Sequence, residues 1–249
     1  YSIRLKSLTA GSQIAERAQV TFGVDGDQVT IGQLRAQLYF GELEASGTWV
    51  PATGAMQWVG TYAEGSLAAM PVHAQMPGLA GQISLQFNLE MTTGTGFDLL
   101  ETLTGNARLN LHTGALGPLS PTTVLCQSSG PLIRTTQRFR DQLSLQSQIQ
   151  NGVATLRQMS GELGGLTVSG EGRLSLLSGA MQSSWQTTLP HHGNIDQCSF
   201  LPTDGPTVLE LNCRMNLRTG QSECVMDPAS KVALQARSTP TDVGASSAP

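Results

Sequence analysis

Charge is scarce in this chain of 249 residues: Asp, Glu, Lys and Arg make up 13%, and the formal net charge is only -4. That is about half the usual charged quarter. The basic residues are scattered, and the nearest approach to a cluster, Arg134, Arg138 and Arg140, reads as ordinary surface charge. A nucleic-acid partner needs concentrated basic surface to neutralise phosphates, so that class of function is disfavoured. No run of 18 apolar residues occurs, which leaves no segment able to span a bilayer as a helix. An initiator Met and a signal peptide are missing too, and the opening YSIRLKSL already reads as a strand. The expectation is a piece of a longer protein whose anchor and targeting signal lie in the remainder.

Catalytic signatures are equally thin. There is no G-x-S-x-G elbow, Walker A loop, H-E-x-x-H or dinucleotide fingerprint. Of the histidines, His112 occupies a polar slot of an alternating strand, and His191–His192 stand between Pro190 and Gly193 as an exposed loop; His73 lies in a proline-flanked stretch. Asp25-Gly26-Asp27 begins like a calcium loop, but the remaining ligand positions do not follow, and a hairpin turn fits better. Glu42/Glu44 and Glu162/Glu171 sit among strand-edge turns. No enzyme, catalytic residue, cofactor or metal is expected.

Cys126, Cys198, Cys213 and Cys224 form no C-x-x-C pair and lack the short paired spacing of a structural zinc site. An even number, all in the C-terminal half, favours two disulfides and an oxidising compartment. Free buried thiols, or zinc held by a cysteine pair with His191–His192, are the competing readings.

What is abundant is alternation. In GQISLQFNLEM, Ile83, Leu85, Phe87, Leu89 and Met91 alternate with Gln82, Ser84, Gln86, Asn88 and Glu90. Side chains on a strand point to opposite faces with period two, so this is a strand with one apolar and one polar face. AQVTFGV, RAQLYFGELEASG, NARLNLHTG, DQLSLQSQIQNG, LTVSGEGRLSLLSG and VLELNCRMNLRTG repeat the pattern, most of them ending in Gly or Asn-Gly turn signals. Evenly spaced strands with few helical patterns between them predict an antiparallel all-β fold.

One segment departs from it. In TGFDLLETLTG, Phe97, Leu100 and Leu103 share a helical face, Thr95 and Asp98 suggest a capping box, and Gly105 supplies a stop. One short helix lying on the end of the sheet is expected there. Around MPVHAQMPG, Pro71 and Pro77 argue for a loop. An internal repeat relates residues 29–57 to 154–182: both copies carry a T-(I/L)-x-Q-(L/M) opening, a central Ser-Gly (Ser46–Gly47, Ser169–Gly170) and a closing Gly-Ala-Met-Gln. Repetition of a strand unit implies an extended sheet whose units contact mainly their neighbours. The domain is expected over 1–235, and 236–249, rich in Ser, Thr, Ala and Pro, as a disordered tail.

Taken in order, LRAQLYFGELEASGTW, FDLLETLTGNARLNLHTGAL, the LCQ at Leu125–Gln127, LSLQSQIQNGVATLRQMSGELGGLTVSGEGRLSLLSG and NCRMNLRTGQSECVMDP resemble the C-terminal part of AsmA-family envelope proteins of Gram-negative bacteria. The likeness covers roughly residues 15 to 230; Glu223 stands where the family often has Trp. The resemblance implies a long curved β-groove of the repeating, bridge-like type, lined with apolar side chains. It implies a periplasmic body anchored in the inner membrane by a transmembrane helix outside this chain. Members are associated with outer-membrane assembly and with moving phospholipid. The apolar strand face would then line the groove through Ile83, Leu85, Phe87, Leu89, Met91, Leu109, Leu111, Leu143, Leu145, Leu166, Val168, Leu174 and Leu176. The segment with Phe97, Leu100 and Leu103 would be a stopper at its end. At about 0.8 kcal/mol per methylene, a 16-carbon acyl chain on such a face gains on the order of 10 kcal/mol before ordering costs. The cysteines fit as Cys213–Cys224, closing a short loop across a strand and turn, and Cys126–Cys198. A β module that touches no lipid and docks an envelope partner by strand addition at an open edge is the alternative.

Overall fold

The computed structural model describes residues 1–10, 13–71, 74, 79–93, 99–116, 141–163, 165–189, 194–195, 198–199 and 207–238. In chain order the strands are β1 (Ser2–Ala10), β2 (Gln13–Asp25), β3 (Gln28–Leu38), β4 (Gly41–Val50), β5 (Ala55–Ser66), β6 (Leu79–Thr92), β7 (Thr104–Leu116), β8 (Asp141–Gln150), β9 (Val153–Leu163), β10 (Leu166–Ser175), β11 (Ala180–Leu189), β12 (Asn194–Ile195), β13 (Cys198–Ser199), β14 (Thr207–Asn216) and β15 (Ser222–Met226). All but β12 and β13 join one open, curved antiparallel sheet of thirteen strands, and each strand pairs with its neighbours in sequence except where β14 follows β11. The fold is nearly all-β, as the alternation predicts.

Local chemistry sets the hairpins. Asn151 and Gly152 take φ of 50° and 73° in the two-residue β8–β9 turn, where both central residues must be left-handed. The β3–β4 turn makes the same demand of Tyr39 (φ 47°) and Phe40 (φ 67°), residues that resist it. Phe40 is 78% exposed and so has little packing to offset that strain. Phe40→Gly is therefore expected to stabilise the fold by about 0.5–1 kcal/mol, the relief of strain outweighing the entropy of glycine. Thermal unfolding would show it, and a lower midpoint would mean the ring makes contacts that matter more than the turn.

An extra residue interrupts the ladder between Glu16 and Gln19 in β2, between Tyr62 and Gly65 in β5, and in β7 opposite Ala80–Gln82. Arg17 and Glu64 take positive φ at the first two bulges, and Gly81 does so opposite the third. Bulges bend a strand and increase its twist, which accumulates into a curl of the whole sheet. As a result Pro71, in the β5–β6 connection, lines the same 450 Å³ cavity as Leu174, Leu176 and Leu217 from the far ends of β10 and β14. The apolar face is rolled partly onto itself, and one buried cluster runs from Tyr62 and Leu67 to Leu211 and Met226.

The opposite face carries ladders of amides, hydroxyls and arginines. One runs Asn88–Asn106–Gln148–Thr155–Arg173–Gln182–Arg214–Glu223 across β6 to β15. A second, two residues away along the strands and three on the bulged β9, runs Thr61–Gln86–Arg108–Gln146–Gln158 and resumes as Glu171–Ser184–Asn212.

The repeated segments are built alike, each as two strands, a four-residue turn and the start of a third strand. The Gly54 and Gly179 amides close the two turns on the Val50 and Ser175 carbonyls, both at 2.8 Å. In the first copy Gly47 pairs with Trp58, and in the second Gly170 pairs with Trp185.

Among the described residues an α-helix stands at each of two places, beside a 3-10 turn at Leu67–Ala69, where one helix was expected. The first, α1 (Leu99–Thr102), is shorter than the predicted segment, and Thr95, Phe97 and Asp98 lie outside the described residues. The second, α2 (Pro228–Ser238), runs past the expected start of the tail at 236; residues 239–249 lie outside the description. Its signal was readable: Asp227 accepts the Ala229 amide at 3.0 Å as N-cap, and Pro228 takes the first helical position. The stretch after Met70 was read as loop. It is described at Pro71 and Ala74, and Ala74 is helical with its amide on the Pro71 carbonyl, since proline is tolerated in a first turn. No described helix is long and apolar enough to cross a membrane.

Candidate functional site: an apolar face open at one end

The register assembles the apolar face row by row. Across β2 to β6 the rows are Val24–Val29–Trp49–Met56–Met91, Phe22–Ile31–Gly47–Trp58–Leu89 and Val20–Leu34–Ala45–Gly60–Phe87. None of these positions is Asp, Glu, Lys or Arg. Small residues lie beneath large ones: a Cβ at Gly60 would stand 2.6 Å from the Phe87 ring, and one at Gly47 3.1 Å from the Trp58 ring. The missing side chains let both rings lie low on the sheet, so the surface is a shallow apolar trough.

Burial on this face is graded along the sheet. Over β6 to β15, Leu163, Leu189 and Leu209 are 0% exposed, and Leu166, Val168 and Leu211 1%. Over β1 to β5 the buried apolar side chains are Ala18, Ala45 and Tyr62, whereas Ile3, Leu5 and Val24 are 45%, 40% and 59% exposed. Phe22, Ile31, Leu34, Trp49 and Trp58 are half-buried, and among the described residues no second layer of strands lies over them.

Of the residues expected to line a groove, Ile83, Leu111, Leu143, Leu166 and Val168 are core residues and present no surface to a ligand. The curl of the sheet packs them against one another, which alternation along a single strand does not reveal. Leu85, Phe87, Leu89, Met91, Leu109, Leu145, Leu174 and Leu176 are half-buried. The open rows on β1 to β5 were missed as lining, although AQVTFGV and RAQLYFGELEASG carry the same alternation. In the expected stopper, Leu103 is buried and Leu100 packs on the core. The Gly152 amide bonds the Leu103 carbonyl at 3.1 Å, holding the segment against the β8–β9 hairpin.

Polar groups at the boundary of open and closed regions are few. The Tyr62 hydroxyl donates to the Leu38 carbonyl at 2.7 Å. Burial pushes its pKa above the ordinary tyrosine value, and nearby Tyr39 pushes it the same way. The folded state thus favours neutral Tyr62, so this stabilisation is whole below pH 10 and is lost as pH rises through the folded value. Tyr62→Phe is expected to cost about 0.5–1.5 kcal/mol near neutrality. It should also flatten the fall of stability above pH 10; an unchanged alkaline limb in denaturant titrations would assign that limb elsewhere. The buried Tyr39 hydroxyl and Trp49 Nε1 have no partner within the protein.

The remaining chemistry is sparse. Among the described residues no three of His, Cys, Asp and Glu gather as a metal site. His112 is exposed on the polar face opposite Gln82, and His73, His191 and His192 lie outside the described residues. Cys213 and Cys224, directly opposed on β14 and β15, form a disulfide with Cα atoms 4.1 Å apart. That bond is consistent with an oxidising compartment. Cys126 lies outside the described residues, as does the Cys198 side chain, so the other expected pair is not described. No family model, no curated protein and no solved structure matches this chain.

Proposed function

We propose that this chain is the closing end of an AsmA-like lipid trough in the Gram-negative envelope. Acyl chains of phospholipid lie on the apolar rows of β1 to β6, and the rolled part from β7 onward seals the trough. The observation that carries this reading is the gradient of one apolar face from open to closed, with no second sheet over it among the described residues. A continuous apolar patch larger than a few hundred Å² is rare on soluble monomers and marks an interaction surface. The disulfide fits a periplasmic body, and an anchor in the inner membrane belongs to the full-length protein. No catalytic step is required of it.

A second reading rests on the edges of the sheet. β15 is short, and α2 covers the rest of the β14 edge: Ser230 Oγ accepts the Glu210 amide and the Asp227 amide reaches the Glu210 carbonyl, both at 2.9 Å. Among the described residues β1 has no such cover, so its outward backbone groups can receive a strand from an envelope partner.

The test is photocrosslinking in cells labelled with radioactive phosphate, using the full-length protein. Photoreactive residues replace Ile31 and Phe87 on the apolar face, with Thr30 and Gln86 as controls on the other. Lipid label at 31 and 87 but not at 30 and 86 is the expected result. Label at none, with a protein adduct from Arg4 on β1, would replace lipid handling by strand addition.

A further inference from the structure

The polar face carries a feature that the lipid reading leaves unused. Between its two ladders a trough of 940 Å³ crosses β9, β10, β11 and β14. At about 4.8 Å per strand it runs roughly 14 Å. Arg173 and Arg214 stand on one wall, two strands apart, with Gln182 between them; Arg157, Glu171 and Asn212 stand on the other. Arg157 is the extra residue of the β9 bulge, where Gln146 pairs with Gln158 but Ser147 with Leu156. A bulge of this kind re-aims a side chain out of the regular alternation.

The guanidiniums are unclaimed. The ion pair among the described residues is Arg35–Glu44, elsewhere on the sheet, and Arg157, Arg173 and Arg214 have no hydrogen-bond partner within the protein. Glu171 is the one carboxylate lining the trough. Between the same two ladders a 520 Å³ section over β5 to β8 adds Arg108 among asparagine and glutamine side chains, with no carboxylate. With Glu223 opposite Arg214 at the end of the first ladder, four guanidiniums face two carboxylates, so this strip stays cationic in a chain of net charge -4.

We propose that the trough binds an acidic glycan, a chain of hydroxyl-rich units bearing carboxylate or phosphate at intervals. Arg173 and Arg214 are about 10 Å apart across two strand spacings, which suits separated anions rather than one phosphate. Guanidinium forks hold carboxylate and phosphate bidentately, and the amides between them donate to and accept from hydroxyls. The 940 Å³ section has no aromatic ring on which a base could stack. The backbones of its floor are already paired, so a peptide cannot add as a strand.

Titration calorimetry on the chain tests this with size-defined oligogalacturonate and phosphorylated oligomannose, against neutral malto-oligosaccharide and polyglutamate. At least one acidic glycan is expected to bind and the neutral one not. Affinity should fall tenfold or more in Arg173→Ala/Arg214→Ala, and severalfold in Gln182→Ala/Asn212→Ala. All four side chains are exposed, so an unchanged melting temperature serves as the folding control. Failure of both acidic glycans overturns the proposal. So does binding no tighter than to polyglutamate and indifferent to Gln182 and Asn212, which would mark a diffuse charge effect. Either failure leaves lipid labelling at Ile31 untouched, because the two sites lie on opposite faces.

Discussion

Leu209→Ala is expected to destabilise the fold by about 2–5 kcal/mol, and Leu34→Ala by less than about 1.5. Both residues are leucines on interior strands of one apolar face, so strand propensity and transfer energy hardly distinguish them. What differs is cover. Leu209 is fully buried and pairs with Thr187, which is itself 2% exposed, so truncation leaves a void that the rolled sheet cannot readily fill. Leu34 lies half-buried between Val20 and Ala45 on the open rows, and water replaces the lost methyls. At about 2–4 °C per kcal/mol for a chain of this size, Leu209→Ala should melt roughly 10 °C early. Denaturant unfolding gives the comparison directly. Equal costs at the two positions would mean that protein covers the β1 to β5 rows, and the open trough would have to be abandoned.

Removal of the Cys213–Cys224 bond is expected to cost about 2–4 kcal/mol. It closes a loop of 11 residues in sequence separation and holds the five-residue β15 at the end of the sheet. Beyond its five-residue pairing with β14, the crosslink and the buried Met226 hold this short strand, and α2 starts two residues later. The double variant Cys213→Ser/Cys224→Ser should therefore show faster amide exchange in β15 and α2, with β9 to β11 unchanged. Protection in β15 equal to that of the parent protein would mean that Met226 and the α2 cap hold the edge alone. Loss of protection across the whole sheet would show that closure at this end is cooperative with the rest.

Strands and hairpins were legible because their causes are local. Alternation of apolar and polar side chains has the period of the strand itself, and Asn151-Gly152 or Gly54 marks a turn by backbone freedom alone. The β3–β4 turn was less visible, because Tyr39 and Phe40 occupy left-handed positions that propensity assigns to other residues. Helix α2 was overlooked although Asp227-Pro228 carries the start signal. The direct pairing of Cys213 with Cys224 accompanies the register of β14 on β15.

The sequence by itself determined that this protein is a sheet with one apolar and one polar face, since that follows from period two. It could not tell which apolar positions become core and which stay open. That was decided by the bulges in β2, β3, β5, β7 and β9, whose added twist depends on pairing between strands and curls the sheet until its C-terminal half packs on itself. Leu166 and Leu34 are alike in any local reading. Only the roll of the sheet buries one and leaves the other half-exposed.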